Sequence, residues 1–383
     1  MIYLDNAATS WPKPEEVYQA SDEALRRGGN PGRSGHKLSL AAGRTVEEAR
    51  ILLAQIFNVS KPESIIFTLN TTDALNLAFK GILEKGDHVI TSSMEHNSVA
   101  RPLETLKLNG VEVTKVVSSP ISGVDMQAVR AAIKENTRLM VFSHVSNVTG
   151  TVNPIAEIGK LCHEKGILFL VDAAQSAGVI PIDVEKMKID LLAFPGHKSL
   201  LGPVGTGGLF IREGLSLKPI REGGTGSFSE LLSQPEKMPD RYESGTLNTA
   251  GIAGLAAGVR FLLEQGVENL QEKEAILTNR LLEGISKISG ITVFGPPPGK
   301  LRTGVVSLSI KGVEPTQTAI ILDTVFDIAV RAGLHCAPDA HRTIGTLKTG
   351  GTVRFSIGAF NTEEEIDFCL EVLHSIAKEG ELR

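Results

Sequence analysis

The stretch ILFLVDAAQSAGVIPIDVEKMKIDLLAFPGHKSLLGPVGTGGLFIR, residues 167–212, decides the fold. ILFLVDA (167–173) and LLAF (191–194) are apolar without alternation, and TGGLFIR (206–212) adds a third short run. Strands of this kind are buried on both faces. Upstream the same rhythm continues in ESIIFTLN (63–70), HVITSSM (88–94), VEVTKVV (111–117) and LMVFSHV (139–145). Helical patterns lie between them: TTDALNLAFKGIL (71–83), DMQAVRAAIKE (125–135) and IAEIGKLCHEKG (155–166). Strand and helix in alternation predict an α/β fold with a large, mostly parallel sheet covered by helices.

Outward from that block the pattern changes. Residues 214–250 are rich in Gly, Ser and Pro and read as an extended surface segment, whereas 251–286 read as helical. Further on, GITVFG (290–295), VVSLSI (305–310) and TVRFSIG (352–358) read as strands, and EEEIDFCLEVLHSIAKEG (363–380) as an amphipathic helix. We expect a large domain over 16–250 and a smaller α+β C-terminal domain over 251–383. Residues 1–15 form a joining N-terminal segment whose short strand IYLDNA is too isolated to fold alone.

Composition narrows the function classes. The chain has 383 residues, 42% hydrophobic and 22% charged, an ordinary globular balance. Net charge is −5, which argues against nucleic-acid and anionic-membrane partners. No apolar run approaches the ~18 residues that span a bilayer. The start MIYLDNAATS lacks a basic flank and carries Asp5, unlike a signal peptide. Cys162, Cys336 and Cys369 are odd in number and widely spaced, which fits a reducing cytoplasm and no metal site.

In open parallel sheets, ligands bind beyond the carboxyl ends of the strands. Thr71 and Thr72 fall at a predicted helix N-terminus, a place for an anion, although a Thr there also serves simply as a cap. Asp172 ends the apolar strand ILFLV, where a carboxylate is costly without a cation or strong donors. Lys198 follows the next strand, in a setting that favours loss of its proton and Schiff-base formation. A Schiff-base lysine, an aspartate for a pyridinium nitrogen and a phosphate-binding helix start are the parts of a pyridoxal 5'-phosphate (PLP) site. His96 offers a flat face for such a ring. Read alone, it is a packed or hydrogen-bonded histidine. Cys162 and Cys369 lie on apolar helix faces and read as core, and only Cys336 sits in a loop flanked by Gly and Pro.

Ten collinear motifs carry a resemblance over almost the whole chain. They are YLDNAAT (3–9), NTTDALNL (70–77), MEHNS (94–98), HVSNVTGTVNPI (144–155), VDAAQSAGVIPIDV (171–184), FPGHK (194–198), GPVGTGGLF (202–210), ESGTLNT (243–249), RAGLHCA (331–337) and VRFSIGAFNTEEEI (353–366). The chain resembles the cysteine desulfurases, in the class V aminotransferase group of fold-type I PLP enzymes. The resemblance implies conversion of L-cysteine, or L-selenocysteine, to L-alanine by a cytoplasmic homodimer, with sulfur passed to an acceptor protein such as one in iron–sulfur cluster assembly. Lys198 resembles the cofactor-bonding lysine that later moves protons, Asp172 the partner of the pyridine nitrogen, and Gln175 the donor to the phenolic oxygen. His96 resembles the stacking histidine. Thr72 and His197 resemble phosphate ligands, and Thr246 resembles the threonine that reaches the neighbouring subunit's phosphate. Asn6 and Asn147 resemble substrate-side contacts, Arg354 the carboxylate clamp, and Cys336 the sulfur-accepting nucleophile. Many members have a phosphate-holding Ser before Gly-His-Lys. Here Pro195 lacks both hydroxyl and N–H, so Thr71 is expected to compensate. A selenocysteine lyase or a related aminotransferase is the nearest alternative, and a non-catalytic scaffold of sulfur trafficking is the alternative of another class.

Overall fold

The computed structural model describes residues 1–32 and 34–381. A seven-stranded sheet forms its centre. From one edge to the other its strands are Ile65–Thr68, Gly207–Ile211, Leu191–Pro195, Leu168–Asp172, Thr137–Ser143, His88–Ser92 and Glu112–Val116. Gly207–Ile211 runs antiparallel to both neighbours, and the other six strands are parallel to one another. The expected mostly parallel sheet is therefore present. Glycine makes the antiparallel strand possible, because a Cβ at Gly207 would lie 2.8 Å from the Phe194 carbonyl oxygen.

Both faces of the sheet are covered. On one, Phe142, Phe169, Val171 and Phe194 pack with apolar residues of helices Lys37–Ile56, Ile155–Lys165 and Thr249–Gln265. On the other, Val89, Val141 and Leu170 pack with helices Thr71–Ile82 and Asn97–Leu108. Cys162 belongs to the first of these cores and is fully buried. No helix or strand occurs between Ile211 and Thr249, in keeping with the extended segment expected there. That segment is pinned by a buried pair, in which the Arg50 guanidinium meets Glu243 through two 2.9 Å hydrogen bonds.

A second, antiparallel sheet has the strand order Ile291–Phe294, Val305–Ile310, Thr352–Ser356, Arg331–Gly333. Helices Val267–Ile285 and Glu363–Glu381 supply its core, which contains Cys369. The N-terminal strand Ile2–Tyr3 pairs in parallel with Ile328–Ala329, so the start of the chain is strapped to this second unit. Helix Thr249–Gln265 buries its apolar face in the core of the large sheet. Among the described residues no helix is long and apolar enough to cross a membrane.

Candidate active site

A cleft of about 600 Å³ opens beyond the carboxyl ends of the parallel strands. Thr71, Thr72, His96 and Asn147 line it, together with Asp172, Gln175, His197 and Lys198. Residues 127 positions apart in sequence thus meet, because the strand ends Thr68, Ser92, Ser143, Asp172 and Pro195 all face one rim.

Helix Thr71–Ile82 is capped by Asn70, whose side chain accepts the Asp73 N–H at 3.0 Å. Neither threonine is therefore needed as the cap. Thr71 is 7% exposed, and its Oγ1 has no hydrogen-bond partner among the described residues. His197 Nδ1 is in the same condition. Unmatched buried polar atoms are costly, and at a helix N-terminus such atoms suit an anion such as a phosphate group. Pro195 lines the same cleft.

Asp172 is 3% exposed and receives the Ala174 N–H at 2.9 Å. Burial raises its pKa, against the pull of that hydrogen bond and of the Lys198 charge. Lys198 is lowered to about 8, chiefly by burial. Asp172 and Asp5 oppose that fall, while Arg354 and Arg331 assist it. The backbone of Lys198 is anchored by Ser10, whose Oγ donates to its carbonyl at 2.9 Å. Gln175 donates to the Ala7 carbonyl at 3.0 Å, which ties the N-terminal segment to the cleft lining.

His96 caps helix Asn97–Leu108, with Nδ1 accepting the Ser98 N–H at 3.1 Å. Its pKa is lowered to about 4 by burial and then by Lys198 and the arginines nearby. The ring is neutral at pH 7 and carries its proton on Nε2. Behind it, Glu95 accepts Ser92 and Ser143 hydroxyls at 2.5 and 2.6 Å, tying two strand ends together.

Cys336 is exposed, in a loop of the second unit. His335 and Cys336 both have positive φ, +49° and +57°. Two successive non-glycine residues in that region are strained by about 1–3 kcal/mol each and need surrounding support. Asn147 Nδ2 donates to the His335 carbonyl at 2.7 Å, and the Asn97 N–H donates to the Cys336 carbonyl at 2.8 Å. The thiol is thereby held beside the start of the His96-capped helix. Arg331 Nη2 lies 3.4 Å from Cys336 Sγ. Burial drives the Cys162 thiol pKa strongly upward and that of Cys369 up to about 12.

Arg354 is 1% exposed. Its Nη2 pairs with Asp5 at 2.9 Å, its Nη1 donates to the Asn147 carbonyl at 3.1 Å, and its Nε has no partner among the described residues. Four expected residues lie apart from the cleft lining: Arg354, Cys336, Asn6 and Thr246. Asn6 donates to the Ser356 carbonyl at 3.0 Å and so fastens the N-terminal segment to the second sheet. Thr246 is exposed on the extended segment. Asp5, Ser98, Ser143 and Arg331 join the site without having been selected from sequence. Each is a common polar residue outside any spacing pattern, although Asp5, Ser98 and Arg331 stand inside YLDNAAT, MEHNS and RAGLHCA.

The family model described as Aminotransferase class-V matches residues 2–368. A "probable cysteine desulfurase" of Methanothermobacter thermautotrophicus is 39% identical, over 99% of this chain and 95% of that protein. A cysteine desulfurase of Escherichia coli O127:H6 is 34% identical, over 96% of this chain and 91% of that protein. The solved apo structure of the cysteine desulfurase from Thermococcus onnurineus NA1 superposes with a TM-score of 0.93 at 35% identity, covering 99% of this chain and 95% of that one. The motifs, the rim of strand ends and these likenesses agree: the chain belongs to the class V aminotransferase family, among the cysteine desulfurases.

Proposed function

We propose that this chain is a PLP-dependent cysteine desulfurase that takes sulfur from L-cysteine onto Cys336 and leaves L-alanine. The observation that carries the reading is the meeting of Lys198 and Asp172 in one cleft with an exposed cysteine held at its edge. Thr71, Thr72 and His197 would hold the cofactor phosphate, His96 its ring face, Asp172 its ring nitrogen and Gln175 its phenolic oxygen. When bound, the cofactor supplies an electron sink for negative charge at the α-carbon of an amino acid. Lys198, with a pKa near 8, holds and returns a proton at Nζ. Asp172, buried beneath the cleft, would accept a hydrogen bond from the ring nitrogen and favour its protonated form. Arg354 would clamp the substrate carboxylate, a group that a guanidinium suits. Asn147 contacts the substrate side and steadies the cysteine loop, and Asn6 acts through the N-terminal segment. The Cys336 thiolate attacks the substrate sulfur, the carbon–sulfur bond breaks, and a persulfide forms on Cys336. The carbon fragment takes up a proton and leaves as alanine, so one cysteine and one thiol become one alanine and one persulfide.

The persulfide then passes to an acceptor thiol or protein. The reading includes a homodimer in which Thr246 of each chain reaches the other's cofactor phosphate. It keeps 16–250 as the cofactor-binding unit, 251–383 as the unit that brings Cys336 and Arg354, and 1–15 as the joining N-terminal segment. Three unpaired cysteines support a reducing, cytoplasmic setting.

The test is a paired assay of wild type and Cys336→Ala, both loaded with PLP and given L-cysteine and a reductant. Equal alanine and sulfide from wild type, with both lost in the variant, is the expected result. PLP uptake by both proteins without alanine from either would overturn the choice of substrate.

A further inference from the structure

Ser98 stands between two parts of the cleft that the functional reading treats separately. Its Oγ is 2.7 Å from Thr72 Oγ1 and 2.9 Å from His96 Nδ1. Its own N–H also reaches His96 Nδ1, at 3.1 Å. Counting donors settles the direction of this chain. Nδ1 already accepts an N–H, so it bears the lone pair, and the Ser98 hydroxyl can only donate to it. The Ser98 oxygen is then free to accept, and the Thr72 hydroxyl donates to it. Thr72, Ser98 and His96 form one directed hydrogen-bond chain running from the anion cradle to the ring.

That direction leaves Thr72 presenting lone pairs to the cleft. An anion arriving at Thr71, Thr72 and the helix N-terminus needs a donor in their place. Either Thr72 turns its proton to the anion and Ser98 loses its donor, or Ser98 turns its proton and His96 Nδ1 keeps the amide alone. Both rearrangements change the hydrogen bonding of the chain that ends on His96. Pro195, on the same cleft, has no hydroxyl to contribute.

We propose that Ser98 is a positioning residue whose hydroxyl couples occupancy of the anion cradle to the His96 ring, which the backbone N–H at the same position holds in its Nε2–H form. The inference rests on the reading of the cleft as a cofactor site, but its test does not require turnover. Cofactor-free protein carrying 15N-histidine is titrated with inorganic phosphate, and the His96 ring resonances are followed by NMR. They should shift with phosphate in wild type and in Ser98→Thr, and stay unmoved in Ser98→Ala. PLP release, followed by absorbance, should be about fivefold faster from Ser98→Ala, the equivalent of roughly one net hydrogen bond, and should recover in Ser98→Thr. Equal phosphate-induced shifts in wild type and Ser98→Ala, or a phosphate-insensitive His96 in wild type, would overturn the inference. Such an outcome with normal PLP uptake overturns this inference alone. Failure of wild type to take up PLP overturns the functional reading and this inference with it.

Discussion

Lys198 holds its charge less readily than an ordinary lysine. Burial is the main cause, and Arg354 and Arg331 add to it against Asp172 and Asp5. The amine must be neutral to bond a carbonyl, so its neutral fraction sets the rate of cofactor uptake. With a pKa of about 8, that fraction rises about tenfold per pH unit below 8 and levels off above it. PLP uptake by cofactor-free protein, followed by absorbance, should trace this curve. A profile still climbing steeply near pH 10 would mean an unperturbed lysine. The linkage has a definite sign: the folded state gives up this proton before the unfolded state does. Lys198 therefore weakens the folded state below pH 8, and the deficit disappears as the pH rises toward the ordinary lysine value.

At the scale of elements, the long irregular segment after Ile211 is held by a buried ion pair as well as by buried Leu217 and Tyr242. Arg50, from helix Lys37–Ile56, and Glu243 are 3% and 5% exposed, and Glu243 also accepts the Phe67 N–H at 2.7 Å. Removing one partner leaves the other charge buried and uncompensated. Arg50→Met should cost about 3–5 kcal/mol in urea unfolding, and Arg50→Met with Glu243→Leu should recover most of it. A loss below about 1 kcal/mol would mean that the pair behaves as if exposed to water. Neither residue stood out in the sequence, because a lone Arg in a helix and a lone Glu in a loop each read as solvated surface. By contrast, the apolar runs of the sheet and the helices over 71–82 and 155–165 were legible from periodicity and length.

At the scale of the whole molecule, the cleft is built by the large sheet and completed from the other unit and the N-terminal segment. Asp5, Arg354 and the Cys336 loop all come from outside the sheet that carries Lys198. Exposed Thr246 lies outside the cleft lining, so the role proposed for it requires a second chain. Sedimentation should give a dimer, and Thr246→Ala should release PLP faster. A fully active monomer would remove Thr246 from the site. The sequence by itself determined the parallel sheet and most of the cleft, since these follow from runs of apolar residues and from polar residues at strand ends, while the role of Cys336 came from the family resemblance. Tertiary structure alone decided which polar groups share protons: Ser98 with Thr72 and His96, Glu95 with Ser143, Arg354 with Asp5. Hydrogen bonds act over about 3 Å between side chains that can be hundreds of residues apart, and no local pattern in a sequence encodes such a distance.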